Sequence, residues 1–181
     1  MHYTIEPYNP IWPTLFEEFK RKLTPILGEN ENLTTIHHIG STSVPGLSAK
    51  PVIDMMPAVR SISKVDELEH RFAEIGFEWR GEFGIAGRRY LTFDDPGTGK
   101  RVCQVHIFEA SSSEIEKHLA FRDLMRSDSA KRLQYETLKL DLFKKFPHDK
   151  DAYHFGKEPF ILEVTKEALR VRFATPQKSR Q

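Results

Sequence analysis

The stretch "HHIGSTSVPGLSAKPVIDMM", residues 37–56, constrains the fold more than any other part of the chain. The β-branched run "LTTIHHI" ends in a Gly40-Ser41 turn, and a loop with Pro45 and Gly46 follows. A second apolar run, "KPVIDMMPAV", then carries one acid, Asp54. The two runs read as strands joined by a short loop. Strand side chains alternate, so Val52, Asp54 and Met56 share one face while Ile53 and Met55 share the other. A carboxylate in such a run pairs, binds a cation, or stands at a strand end near water. Pro57 cannot donate to a ladder, so it predicts an edge position, a bulge or an early end for the second strand.

The rest of the chain follows in the same terms. "HYTIEPY" reads as a short strand or extended arm. Asn9 and Pro10 open a helix whose apolar face is Trp12, Leu15, Phe16, Phe19, Leu23 and Ile26. Pro25 ends or kinks it and Gly28 stops it. Val65, Leu68, Phe72 and Ile75 predict one amphipathic helix closing at Gly76. "FEWRGEF", "RRYLTFDD" and "KRVCQVHIFEA" are three strands, the last two joined by the hairpin-like "DDPGTGK". From about Ser113 the pattern is helical, with breaks at Ser127-Asp128 and at "PHDKD". The faces are Phe121, Leu124 and Met125, then Tyr135, Leu138, Leu142 and Phe146, then Ile161, Val164, Ala168 and Val171. This order is an α+β fold: a mixed sheet with flanking helices and a C-terminal helical half. One domain is expected over 1–173, with a flexible tail at 174–181.

A net charge of +1 over 181 residues argues against a bulk nucleic-acid or membrane binder. The aromatic residues do not interleave with a basic stripe. Cys103 is the single cysteine, so no intrachain disulfide and no all-cysteine metal site can form. With no secretory pattern at the N-terminus and no run of membrane-span length, the expected location is the cytoplasm.

A Gly-Ser turn after a strand can cradle phosphate with its amides and hydroxyl, and equally can be a plain tight turn. The Walker glycine spacing is absent. In "VCQVHIF", Val102, Gln104, His106 and Phe108 share a face. His106 could act as a general base beside Asp54, or be a satisfied core histidine. Lys50, Arg88, Arg89, Arg122 and Lys157 are candidate phosphate contacts, although isolated charges are usually solvated. Of Arg88 and Arg89, only one can face the inner side of the sheet. Arg122 could instead be tied to Asp123 or Asp128. Tyr153 and Lys157, one helical turn apart, could present a ring and a cation together.

"HIGSTSVPGLSAKPVID", with "GRRY", "QVHIFE", "FRDLMRSD" and "YHFGKEPFI", resembles the signature of the GrpB family, of the nucleotidyltransferase superfamily. The resemblance runs from about Ile5 to Leu169. It implies the fold of DNA polymerase β-like nucleotidyltransferases. There a Gly-Ser turn holds nucleotide phosphates, and three acids on neighbouring strands hold two Mg²⁺ ions. On this chain it implies phosphate contacts at Gly40, Ser41 and Thr42 and a metal-binding acid at Asp54. The second acid's place holds Met56, and the third strand offers Gln104 and His106 where the family often has His-x-His. Family sequences also often carry Glu where this chain has His37.

The ligand expected from the resemblance is a nucleotide or other phosphorylated small molecule, with Mg²⁺ or Mn²⁺ as the metal. An Asp54, His106 and His38 site for a transition metal is an alternative donor set. Two readings follow: a metal-dependent nucleotidyl or phosphoryl transferase, or a non-catalytic binding module that kept the fold and lost the acids. Family members fused to a coenzyme A biosynthesis kinase domain suit the second. Glu82 or Glu109 reaching Asp54 would favour the enzyme, and a closed apolar wall at Met56 the module.

Overall fold

In the computed structural model, residues 4–174 are described. A five-stranded mixed sheet has the order β1-β2-β5-β4-β3. Its strands are β1 (Leu33–Ile39), β2 (Ile53–Val59), β3 (Glu78–Trp79), β4 (Arg89–Asp94) and β5 (Arg101–Glu109). Only β2 and β5 pair in parallel, and the other neighbours are antiparallel. β1 has the predicted bounds, because its β-branched run is closed by Gly40. At its start the arm forms an isolated antiparallel bridge, Glu6 to Ala49.

Pro57 corrects the sequence reading, since β2 is an interior strand. Its pairing with β5 covers Met55 and Ala58 and skips Met56 and Pro57 between them. The missing donor therefore falls where that ladder lapses, and Pro57 keeps only its place opposite Ile36 on β1.

One sheet face packs on α1 (Trp12–Leu27). Trp12, Phe16, Phe19, Leu23 and Ile26 of that helix are buried with Ile36, Ile53, Met55, Val105 and Ile107. Each fully buried large side chain contributes about 1.5–3 kcal/mol. Asn9 is not the cap expected of it: the helix starts at Trp12 with Ile11 as N-cap and Pro13 in its first turn, while Asn9 accepts from the Ile11 amide, 3.0 Å away, in the turn before it. The helix runs through Pro25 to Leu27, and Gly28 caps it in right-handed conformation. The predicted Val65–Ile75 helix is two short pieces, α2 (Ile62–Asp66) and α3 (Glu69–Glu74), broken at Glu67-Leu68. Gly76 then takes φ +85, as a stop requires.

The opposite face carries Ile39, Met56, Ala58 and Phe108, covered by Ile115 and Leu119 of α4 (Ser113–Ser127). Asp128 caps α5 (Ser129–Lys145) by accepting from the Lys131 amide, and α6 (Lys150–Ala174) follows the second predicted break. Met125, Tyr135 and Val164 from the three helices enclose Val44 and Leu47 of the β1–β2 loop. Val171, expected on the packed face of α6, is 59% exposed. Apart from Ala174, the predicted tail lies outside the described residues. α4 covers β2 at Met56 and Ala58, while Asp54, near the start of the strand, faces an open cleft.

Candidate functional site

The turn after β1 is built around its contact with Asp54. Gly40 has φ +69 and ψ −176, a region almost confined to glycine. A Cβ there would overlap the Asp54 carboxylate and lie 3.1 Å from the Asp54 Cβ. The 3₁₀ turn Ser41–Ser43 is held from several sides. Ser43 Oγ donates to the Gly40 carbonyl at 2.7 Å, and Arg126 of α4 donates to the Ser43 carbonyl through Nε and Nη2. Ser41 Oγ accepts from Lys139 Nζ at 3.3 Å and is hydrogen-bonded to the Tyr135 side chain.

These residues open onto a cleft of about 1020 Å³ between the uncovered sheet face, the loop between β3 and β4, and helices α5 and α6. Asp54 is half-buried there, with Oδ1 3.8 Å from His106 Nε2. His106 lies on β5, one pleat beyond Gln104, which pairs with Asp54 across the ladder. On its other side, His106 Nδ1 is 3.3 Å from Arg88 Nη1. A guanidinium only donates, so Nδ1 is the acceptor and the proton of neutral His106 sits on Nε2, facing Asp54. This arrangement makes His106 a donor toward the cleft rather than the base of the pair. Tyr90, paired with His106 across β4, has its ring 5.1 Å from the imidazole.

Cations dominate the remaining wall: Lys50, Lys139, Lys150 and Lys157 line the cleft with Arg88, against Asp54 and Asp151. Lys139 is 2% exposed, and its Nζ also donates to the Ser48 carbonyl. Burial, then the nearby Lys157 charge, lowers its pKa to about 7. Burial likewise lowers Lys157 to about 8, with Asp54 opposing the shift and Lys50 and Lys150 adding to it. Two Tyr-x-x-x-Lys pairs on neighbouring helices deliver these ammonium groups. Lys139 lies 4.9 Å above the Tyr135 ring, and Lys157 lies 4.3 Å above Tyr153.

Eight of the candidates named from the sequence meet on this cleft: Ser41, Thr42, Lys50, Asp54, Arg88, His106, Tyr153 and Lys157. Gly40 adjoins it through Asp54. Three do not join them. His38 faces the other side of the sheet, stacked on Phe16 at 4.7 Å. Its Nε2 is 3.1 Å from Thr42 Oγ1, which spends its own proton on the Val52 carbonyl. His38 Nε2 is therefore the donor, and burial lowers its pKa to about 4, so it is neutral and turned away from Asp54. Arg89 pairs with Asp66, its Nη2 2.8 Å from Oδ2, while its neighbour Arg88 faces His106. Arg122 is tied to Asp123 at 2.7 Å and to the His38 carbonyl at 3.1 Å.

Sequence reasoning missed Lys139 and His118. Lys139 sits four residues after Tyr135, the spacing recognised at Tyr153 and Lys157, and that was the available signal. His118 on α4 is half-buried with its ring 6.2 Å from His106, and desolvation lowers its pKa to about 4.

The donor set does not fit a two-ion clamp. Met56 is fully buried in the apolar wall under α4. Glu82 accepts from the Gly87 amide, and Glu109 from the Ile62 amide, so neither is delivered to Asp54. Among the described residues, no group of three or more His, Cys, Asp or Glu side chains is placed to hold a metal ion.

A mixed sheet with a Gly-Ser turn pressed against a strand acid defines a nucleotidyltransferase-like fold. Cid1, a poly(U) polymerase solved with its short product ApU, matches 84% of this chain and 48% of its own, with TM-score 0.55 and 11% identity. The chain belongs to the GrpB family, whose model, described as GrpB protein, matches residues 2–167. Conserved protein GrpB from Enterococcus faecalis superimposes with TM-score 0.87 and 43% identity, covering 94% of this chain and 99% of that one. The UPF0157 protein YqkA of Bacillus subtilis is 39% identical over 90% of this chain, which spans 46% of YqkA. Among the described residues, no helix is long and apolar enough to cross a membrane.

Proposed function

We propose that the cleft binds a nucleotide or other phosphorylated small molecule, with its phosphates between Ser41 and the ammonium groups of Lys139 and Lys157. The observation that carries this reading is the pair of desolvated lysines converging with the turn on one cleft. Their burial disfavours charge, and a bound phosphate restores it. Lys50 and Arg88 add neutralising charge. A cytoplasmic location suits the single buried thiol, Cys103.

The transfer chemistry that suits this geometry is nucleotidyl or phosphoryl transfer to a hydroxyl. Asp54 takes the acceptor's proton as its oxygen bonds to phosphorus and the leaving oxygen departs. His106 Nε2–H hydrogen-bonds the oxygen on which charge builds. A single Mg²⁺ or Mn²⁺ held by Asp54 and the ligand's own phosphates is the metal form of this proposal. The apolar wall at Met56 favours a second reading, a binding module without transfer.

Thermal unfolding with ATP, CTP, GTP and UTP, each with and without Mg²⁺ or Mn²⁺, tests the proposal. Ligand at a hundred times Kd adds about 2.7 kcal/mol, a rise of several degrees in Tm. Lys139→Met should abolish the rise. Asp54→Ala should abolish only a metal-dependent part of it. No shift with any nucleotide would remove the binding proposal. Binding without turnover of any acceptor would select the module.

A further inference from the structure

Phe83 stands out in the loop between β3 and β4. It lines the same cleft as Ser41, Asp54, Lys139 and Lys157. Its side chain is 64% exposed, an unfavourable place for a phenylalanine. Its backbone has φ +44, uncommon for a bulky residue, although Gly81, Gly84 and Gly87 nearby adopt positive φ at little cost. The ring is nonetheless held. It stacks on Tyr90 with centroids 5.2 Å apart and planes 24° from parallel. Arg88 Nη2 donates to the Phe83 carbonyl at 2.6 Å, and the Arg88 guanidinium lies 4.8 Å above the same Tyr90 ring. Arg88 therefore fixes both this loop and His106.

Exposure, backbone strain and a fixed ring on a cleft wall coincide at one residue, and such outliers gather at ligand clamps. The open aromatic surface suits a flat π-face, and the lysines of the same cleft suit phosphate. A nucleotide joins those two chemistries in one molecule. We propose that Phe83 is the stacking platform for the nucleobase of a nucleotide whose phosphates reach Lys139 and Lys157. This proposal rests on the phosphate-binding reading of the cleft and adds the base subsite to it. Stacking is sequence-tolerant, so base selectivity at this platform is modest.

The test is calorimetric titration of the full chain with ATP, CTP, GTP, UTP and inorganic tripolyphosphate in one buffer. At least one nucleotide should bind more tightly than tripolyphosphate. Phe83→Ala should weaken that nucleotide about tenfold and leave tripolyphosphate unchanged, while Phe83→Trp retains nucleotide binding. Phe155, the other exposed phenylalanine on this cleft, supplies the comparison. Three results would each overturn the platform: equal binding of nucleotides and tripolyphosphate, equal weakening of both by Phe83→Ala, or a loss confined to Phe155→Ala. Tripolyphosphate binding without a nucleotide advantage leaves the phosphate site standing. No binding in any arm removes both readings.

Discussion

Gly40→Ala tests the contact on which the site is built. An alanine at φ +69 and ψ −176 occupies a region nearly closed to L-residues, at a cost of about 1–3 kcal/mol. Its Cβ would stand 3.0 Å from the Asp54 Cγ and overlap the carboxylate. Asp54 cannot retreat with its backbone, because β2 pairs it with Ile39 on one side and Gln104 on the other. The side chain must rotate, and an off-rotamer χ costs about 1 kcal/mol. The sum is about 2–4 kcal/mol, or on the order of 10 °C in Tm for a chain of this size. Gly46→Ala is the control: φ is +79, but nothing lies within 4 Å of its added Cβ. Thermal unfolding monitored by circular dichroism reads both. Gly40→Ala combined with Asp54→Ala should relieve the overlap with the carboxylate, about 1 kcal/mol of coupling, and keep the backbone part and the 3.1 Å contact between the two Cβ positions. If Gly40→Ala melts with the wild type or with Gly46→Ala, Gly40 and Asp54 are not pressed together.

Three further outcomes follow from the site. Lys139 has its pKa lowered to about 7, so its contribution to stability is greatest above the ordinary lysine value and is lost as pH falls through about 7. Denaturant unfolding of wild type relative to Lys139→Met should therefore gain with pH between about 7 and 10, by up to about 1.4 kcal/mol per pH unit; a flat difference would contradict the buried ammonium. Arg88→Met frees His106 Nδ1, so nitrogen-15 NMR should show the Nε2–H tautomer in the wild type and a mixture in the variant; a mixture in both would refute the Arg88 hydrogen bond. Met56→Asp puts a carboxylate into the apolar wall under α4, and a loss of about 3 kcal/mol or more is expected in chemical denaturation. An unchanged variant would mean that the wall is open to solvent.

Much of this architecture is legible in the sequence because local chemistry and burial agree. β1 is β-branched and closed by glycine, so its bounds emerge directly. The alternation placing Asp54 and Met56 on one face, and Gln104 with His106 on one face of β5, follows from strand geometry alone. Other features depend on tertiary contacts. Pro57 reads as an edge signal until a lapse in the β2–β5 pairing accommodates it. His38 precedes the turn closely enough to suggest a ligand, yet the parity that favours Ile39 turns it toward Phe16. Arg89 looks like a phosphate contact until α2 brings Asp66 beside it, whereas the Asp123 partner of Arg122 is legible one residue along the chain. Lys139 is the reverse case: a lysine on a charged helix reads as solvated, and only the meeting of α5 with the β1–β2 loop buries it.

Phosphate binding between the Gly-Ser turn, buried Lys139 and half-buried Lys157 is what the proposed function requires. A crystal structure of the full chain with the tightest-binding nucleoside triphosphate tests it most directly. Phosphate oxygens should lie within hydrogen-bond distance of Ser41 and of Lys139 or Lys157, with Asp54 facing the same group. A fully occupied triphosphate elsewhere on the protein, with this cleft left to solvent, would contradict it.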